Sequence, residues 1–175
     1  MKKIMASSLC LFWIGLFGCT HATNSPDVQS LNVEIIHNDT NCGEIPGMPN
    51  ALWIADKAHL KSVLGEMTHR HQIGGSLPDW VEAFNFNDFG ILFVHMGQKP
   101  TGGYRLEYIP DHARISGGTA RVVLKWIAPD ADAMVTQMIT HPCTLLKMPK
   151  AGFTRIEIMD THGKLKAVVN RKMPE

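Results

Sequence analysis

Apolar residues recur at helical spacing in one segment of the chain, shortly after residue 50. The apolar positions that fit one face of a helix are Leu60, Val63, Leu64 and Met67. Asp56 stands just before this segment, where its carboxylate can accept backbone N–H groups of a first turn. The pattern therefore predicts one amphipathic helix near residues 57–67, with Asp56 as its N-cap.

Shorter apolar or alternating segments predict strands over the rest of the chain. Residues 90–97, GILFVHMG, are nearly continuously apolar, as is typical of a central strand buried on both faces. Residues 104–109 alternate, which is typical of a strand with one buried face. Further strands are predicted at residues 31–36, 51–55 and 120–127, at one or two places within 134–150, and on both sides of a hairpin turn at 161–163.

Many short strands with one convincing helix indicate an α+β, β-rich fold. We expect mainly antiparallel sheet or a small sandwich, and the pattern does not choose between one sheet and two. A short helical turn is expected at residues 79–84, with Trp80 and Phe84 facing inward. Residues 31–175 are long enough for a single globular domain with its own core.

The N-terminal residues have the composition of a targeting segment. Lys2 and Lys3 precede a mostly apolar stretch at residues 4–17, and small residues follow. This order is typical of a secretory signal, and the apolar stretch is short for a membrane-spanning helix. Residues 1–18 are therefore expected to be a signal peptide.

The end of this signal, LFGC at residues 16–19, resembles the lipobox of bacterial lipoproteins. The resemblance implies acylation of Cys19, as with palmitate, and anchoring of the mature chain in the cell envelope. Thr20 stands where an Asp would resemble an inner-membrane retention signal, which favours the outer membrane with the domain facing the periplasm. Residues 19–30 are polar and aperiodic and are expected to form a tether. The alternative is an ordinary signal cleaved near the same position.

The charge of the chain argues against nucleic acid as a partner. Loss of Lys2 and Lys3 with the signal changes the formal net charge from +1 to −1. No block of basic residues occurs elsewhere in the sequence, whereas phosphate binding requires a concentrated positive surface.

Two cysteines, Cys42 and Cys143, follow the signal and the acylation site. An oxidising compartment favours a disulfide between them. Two alternatives stay open, namely a pair of free thiols and metal ligation by one Cys with a nearby His. The sequence has no C-x-x-C motif, so a thioredoxin-like redox site is not expected.

The other residues capable of chemistry do not form a catalytic or metal-binding motif. His69 and His71 are the closest pair among the nine histidines, and no further ligand follows at zinc spacing. His141 lies near Cys143, but closeness in sequence does not pair a nucleophile with a base. The G-x-S-x-G motif of serine hydrolases is absent. We therefore predict no enzymatic activity, no metal and no cofactor.

An elaborate connection, GQKPTGGY at residues 97–104, separates two predicted strands that two residues could join. Pro100 fixes its own φ, and Gly102 and Gly103 permit positive φ or a close backbone approach. Such a stiff loop loses little entropy when it binds a partner. It forms either a structural corner or a binding loop, or both. The candidate binding residues are Gly97, Lys99, Pro100, Thr101, Gly102, Gly103 and Tyr104.

Residues 56–150 resemble the C-terminal domain family of PrcB, a subunit of a bacterial surface protease complex. The resemblance rests on the order of a helix, the pair Asp88 and Phe89, an apolar strand, the loop G-x-K-P-T-G-G-Y and the later run THPCTLLKMPK. Cys143 departs from the pattern, since an aromatic residue is expected there. The resemblance implies an exported accessory protein that binds or stabilises a protein partner, with an exported protease as a candidate, and it implies no catalytic site.

The same loop looks like a shortened N-P-T-T-G loop of chagasin-type inhibitors of cysteine proteases. Lys99 replaces the Asn, and Gly102 replaces the second Thr. This likeness implies an alternative function, in which residues 99–104 enter a protease cleft. Likeness of a loop alone does not establish a function.

Overall fold

The structure of the chain is a computed structural model that describes residues 27–43, 47, 50–70 and 78–171. The predicted signal peptide, Cys19 and most of the predicted tether lie outside these residues. The side chains of His69 and His71 lie outside the description as well.

The described residues form ten strands and two helices. The strands are β1 (Gln29–Ser30), β2 (Glu34–Asp39), β3 (Ala51–Ile54), β4 (Phe89–His95), β5 (Arg105–Tyr108), β6 (Arg114–Ser116), β7 (Thr119–Ile127), β8 (Cys143–Pro149), β9 (Arg155–Met159) and β10 (Leu165–Asn170). The helices are α1 (Lys57–Arg70) and α2 (Trp80–Ala83). The β-rich α+β class predicted from the sequence is confirmed. Neither helix is long and apolar enough to cross a membrane, as far as the described residues go.

The strands form two sheets that face each other. The first sheet has the order β1-β6-β7-β9-β10, with β5 also paired to β7, and the second has the order β2-β8-β4-β3. All strand pairs are antiparallel except β7 with β9. That parallel pair arises because the chain crosses to the second sheet as β8 and then returns beside β7.

The main core lies between the two sheets. Its fully buried members include Leu92, Val94, Leu146 and Met148 from the second sheet and Val122, Leu124, Ile156 and Ile158 from the first. In β7, buried and more exposed residues alternate along the strand, as expected when only one face of a sheet is covered.

Helix α1 covers the other face of the second sheet, so β4 is buried on both faces as predicted. The apolar face of α1, with Leu60, Val63 and Leu64, belongs to the same cluster as Ile91 and Phe93. Asp56 is the predicted N-cap, because its Oδ1 accepts the N–H of His59 at 2.8 Å. In α2, the fully buried residue is Val81, while Trp80 and Phe84 are only partly buried against this cluster.

The predicted first strand at residues 31–36 is in fact divided. Leu31 follows β1 and is buried, with its N–H donating at 3.0 Å to the carbonyl of Ala113, the residue before β6 of the first sheet. The chain then crosses to the second sheet, where β2 pairs with β8. The division arises because neighbouring apolar residues of one short segment serve two different sheets.

Candidate functional site

Two connections lie side by side and form one surface, which we call the two-loop platform. It consists of residues 97–104, between β4 and β5, and residues 128–140, between β7 and β8. The backbones of Lys99 and Thr140 exchange N–H···O hydrogen bonds of 2.8 and 3.0 Å. The Gly102 N–H donates to the carbonyl of Thr136 at 2.9 Å, and the Thr140 hydroxyl donates to the carbonyl of Thr101 at 2.8 Å. The predicted binding loop is therefore fastened to a second segment along its length.

The adjacent glycines of the loop have different roles. Gly103 has φ 85°, and a Cβ there would lie 2.8 Å from Cβ of Pro129 and 3.0 Å from Cγ1 of Val135. Gly102 is buried, and a Cβ on it would collide with the hydroxyl of Thr136. Gly103 is therefore required for its positive φ. Gly102 is required because the second loop approaches its backbone too closely for a side chain.

The side chains of the loop contact one another. The Thr101 hydroxyl donates to the carbonyl of Gly102 at 3.1 Å, a local bond of the kind that threonine side chains form in tight connections. Lys99 Nζ lies 5.7 Å from the centre of the Tyr104 ring, at the long end of a cation–π contact. The half-buried Tyr104 makes no hydrogen bond through its hydroxyl to any described residue.

Large apolar side chains are exposed on the second segment of the platform, and sequence reasoning missed them. Met134 is fully exposed, Met138 is 51% exposed and Ile139 is 54% exposed. One or two strands were predicted within residues 134–150, and one forms there, at Cys143–Pro149. The backbone of the earlier half bonds to the first loop instead, at Thr136 and Thr140. The sequence did carry a signal against a strand here, because residues 134–140 mix apolar residues with Thr and Gln and lack the period of two that is typical of a strand.

The predicted disulfide between Cys42 and Cys143 is present and holds the base of the platform, with Cα atoms 5.9 Å apart. Next to it, the Cys42 N–H donates to the carbonyl of His141 and the Met96 N–H donates to the carbonyl of Pro142, both at 2.9 Å. The end of the second loop is therefore fixed on one side by the β2–β3 connection, through Cys42, and on the other side by the end of β4, through Met96.

The disulfide also bears on the metal alternative. His37 lies beside the two cysteines, and the ligand-type atoms of the three residues are within 4.8 Å of one another. Because the sulfurs are bonded to each other, neither is a thiolate, which is the form of cysteine that ligates metals. In this oxidised state the cluster offers a metal only the His37 imidazole.

Substitutions at Gly97 and Gly103 separate the backbone requirement from the contact between the loops. Both glycines have positive φ, but a Cβ on Gly97 would meet no atom within 4 Å. We expect Gly97→Ala to lower the free energy of unfolding by about 1 kcal/mol and Gly103→Ala by about 2–4 kcal/mol, because only the latter also pushes against Pro129. Urea unfolding measures both. Equal losses for the two variants would show that the loops do not support each other.

The geometry defines a β-rich two-sheet domain with a paired-loop surface stapled at its base by a disulfide. Residues 91–149 match the model of the family described as PrcB C-terminal, which confirms the resemblance to that family. The matched segment runs from β4 through β8 and contains both loops of the platform. It starts later than the predicted span, so α1 lies outside it. No curated protein and no solved structure matches the chain.

Proposed function

We propose that this protein is a non-catalytic accessory protein of the bacterial cell envelope that binds and stabilises a protein partner through the two-loop platform. The observation that carries the proposal is the exposure of Met134, Met138 and Ile139 on loops that are themselves fastened together. An exported protease is the first candidate partner. The name of the matched family, which refers to a subunit of a protease complex, supports this candidate and a role without catalysis.

The composition and rigidity of the platform suit a protein contact. Exposed apolar clusters on folded domains mark interaction sites, and methionine adapts its shape to a partner more readily than other apolar residues. The hydrogen bonds of Lys99, Gly102 and Thr140 hold the backbone of the platform before any partner arrives. Less conformational entropy is then lost on binding.

The proposed location rests on the sequence of the N-terminal residues. Export through the signal at residues 1–18 and acylation of Cys19 would attach the domain to the outer membrane, facing the periplasm, through the part of the predicted tether at 19–30 that precedes β1, since Gln29–Ser30 already pair with β6. The disulfide supports an oxidising compartment. In this arrangement the platform meets proteins of the periplasm or of the membrane surface.

Crosslinking from the platform tests the proposal. A photoreactive residue at position 134 of the full chain, expressed in its native cells, is expected to crosslink one defined partner that mass spectrometry identifies. The double variant Met138→Asp/Ile139→Asp is expected to reduce this product at least about tenfold, because carboxylates would be buried without partners in an apolar contact. The matched control is Ile35→Asp, which changes a residue of β2 that is similarly exposed, at 46%. A product that survives the double variant, or one lost equally in the control, would contradict the proposal.

Protease inhibition in the manner of chagasin is the alternative. That function would require residues 99–104 to enter the cleft of a protease as an exposed tip. In this structure, however, Gly102 is buried under Thr136. Titration of the purified chain against cysteine and serine proteases separates the two functions. Stoichiometric loss of protease activity, abolished by Lys99→Ala, would favour the inhibitor.

A further inference from the structure

A groove of about 570 Å³ crosses the outer face of the first sheet, turned away from the core. It runs over β6 and β7, and its walls are Val28 ahead of β1 and the turn between β9 and β10. It shares no lining residue with the two-loop platform. The residues that matter for its chemistry are Arg114, Ser116, Thr119, Arg121, Val123 and Met159.

Two arginines lie directly opposite each other in this groove. Arg114 of β6 is the register partner of Arg121 in β7, and both are exposed. Like charges at directly opposite positions of an antiparallel pair destabilise the sheet. The arrangement therefore carries an electrostatic cost that a bound anion would remove.

The carboxylates nearby do not neutralise this pair. Arg121 donates from Nε to Glu157 at 2.9 Å, but the same carboxylate also accepts from Arg155 at 3.1 Å. These two hydrogen bonds hold the pKa of Glu157 below its ordinary value, so it is charged at neutral pH and still serves two cations. Arg114 donates to the carbonyl of Ala113 at 2.8 Å, and no carboxylate of the described residues lies within ion-pair distance of it.

Asp160 is the acidic residue on the wall of the groove, and its carboxylate is used within its own turn. Its Oδ1 accepts the backbone N–H groups of Lys164 and His162, each at 2.9 Å. These bonds hold the pKa of Asp160 below its ordinary value. Among the described residues that line the groove, two arginines therefore face the single carboxylate of Asp160, and Arg114 has no counter-ion among them.

The rest of the floor is apolar with hydroxyl groups at its side. Val123 and Met159 are half-buried and register partners in the parallel pair, and Ser116 and Thr119 lie beside the arginines. Such a floor accepts an apolar side chain, and the hydroxyls can bond the backbone of an extended chain. A polyphosphate would use the cations but has no apolar group to place on Val123 and Met159.

We propose that this groove binds an extended acidic segment of a protein partner. Carboxylates of that segment pair with Arg114 and Arg121 through the two-pronged geometry that guanidinium offers to a carboxylate. An apolar side chain between the carboxylates rests on Val123 and Met159. The inference concerns a second contact surface and does not require the platform to bind anything.

Calorimetric titration of the full chain with two matched peptides tests this inference. One peptide has glutamates flanking a leucine, and the other has glutamines in their place. We expect the glutamate peptide to bind and Arg114→Gln to weaken it about tenfold, the effect of losing one charge-assisted hydrogen-bonded pair. Lys125→Gln is the matched control, since Lys125 is exposed on the same face of β7 outside the groove.

A second measurement distinguishes a binding role for Arg114 from a structural one. If Arg114 serves a ligand, Arg114→Gln removes repulsion from Arg121 and leaves the melting temperature unchanged or higher. A clear fall in melting temperature would assign Arg114 to the fold and overturn the inference. Equal binding of the glutamine peptide, no binding of either peptide, or equal weakening by Lys125→Gln would overturn it as well.

Discussion

Replacement of Cys42 and Cys143 by serine is expected to lower the free energy of unfolding by about 4–5 kcal/mol, because the disulfide closes a very long loop. The two cysteines are separated by 101 positions in the chain. The bond stabilises chiefly by restricting the unfolded chain, and that restriction grows with the length of the closed loop. Urea unfolding of the full chain, with and without reductant, measures the difference.

The serine variant provides its own control for the reductant. Wild-type protein should fall to the stability of the variant when reduced, while the variant should not respond. Hydrogen exchange should also speed up at residues 96–103 and 134–142. The disulfide at Cys143 lies next to the hydrogen bonds from Met96 to Pro142 and from Cys42 to His141, and its loss would let these bonds open more often. A wild-type protein whose stability does not change on reduction would contradict the assigned role of the disulfide.

Substitution of Gly90 by alanine is expected to destabilise the protein by about 3 kcal/mol, through overpacking in the central strand β4. The Trp53 indole lies across Gly90, and an added Cβ would come within 2.7 Å of its Cε2 and Cη2 atoms. The indole is also held by its other neighbours. Its centre is 5.9 Å from the Phe153 ring, edge to face, and the Arg171 guanidinium lies 4.5 Å from it.

Arg171 explains why the indole cannot easily move aside. Its guanidinium also lies 4.4 Å from the Phe153 ring and donates to the carbonyls of Phe153 and Lys150, both at 2.9 Å. Partial burial lowers the pKa of Arg171 from its ordinary value, although the group stays charged at any pH in use. A displacement of Trp53 would therefore also disturb Arg171 and its bonds to Phe153 and Lys150.

A double-mutant cycle checks the cause of the expected loss at Gly90. Trp53→Leu should itself destabilise the core, but Gly90→Ala should cost much less in that background because the added methyl has room. Gly65→Ala in α1 is the matched control, since a Cβ there meets no atom within 4 Å and alanine favours a helix by about 0.5–1 kcal/mol. An equal loss at Gly90 in both backgrounds would show that the indole is not the reason.

Local patterns in the sequence were enough to predict the elements whose causes are local. Helix α1 follows from apolar spacing and from a cap at Asp56, and both are properties of neighbouring residues. The burial of β4 on both faces follows from its uninterrupted apolar run, and the β9–β10 hairpin follows from a Gly-containing turn. The Cys42–Cys143 bond was predicted because these are the two cysteines that follow the predicted signal and acylation site.

Contacts between distant segments decided the rest. The division into two sheets and the parallel pairing of β7 with β9 depend on where β8 leaves and returns, which no single segment encodes. The segment that carries Met134, Met138 and Ile139 was open to a strand by its composition. Its backbone instead bonds to Lys99 and Gly102 of the first loop, and the three side chains are exposed. The candidate binding loop at residues 97–104, by contrast, was recognisable as a motif in the sequence itself.

The opposition of Arg114 and Arg121 is likewise a consequence of strand register and not of sequence spacing. The sequence by itself therefore determined the β-rich class, helix α1, the central strand β4 and the turn between β9 and β10. Only the tertiary structure decided which loops support each other and which charges and apolar side chains share a surface. The physical reason is that hydrogen-bond partners, register and burial are set by residues far apart in the chain.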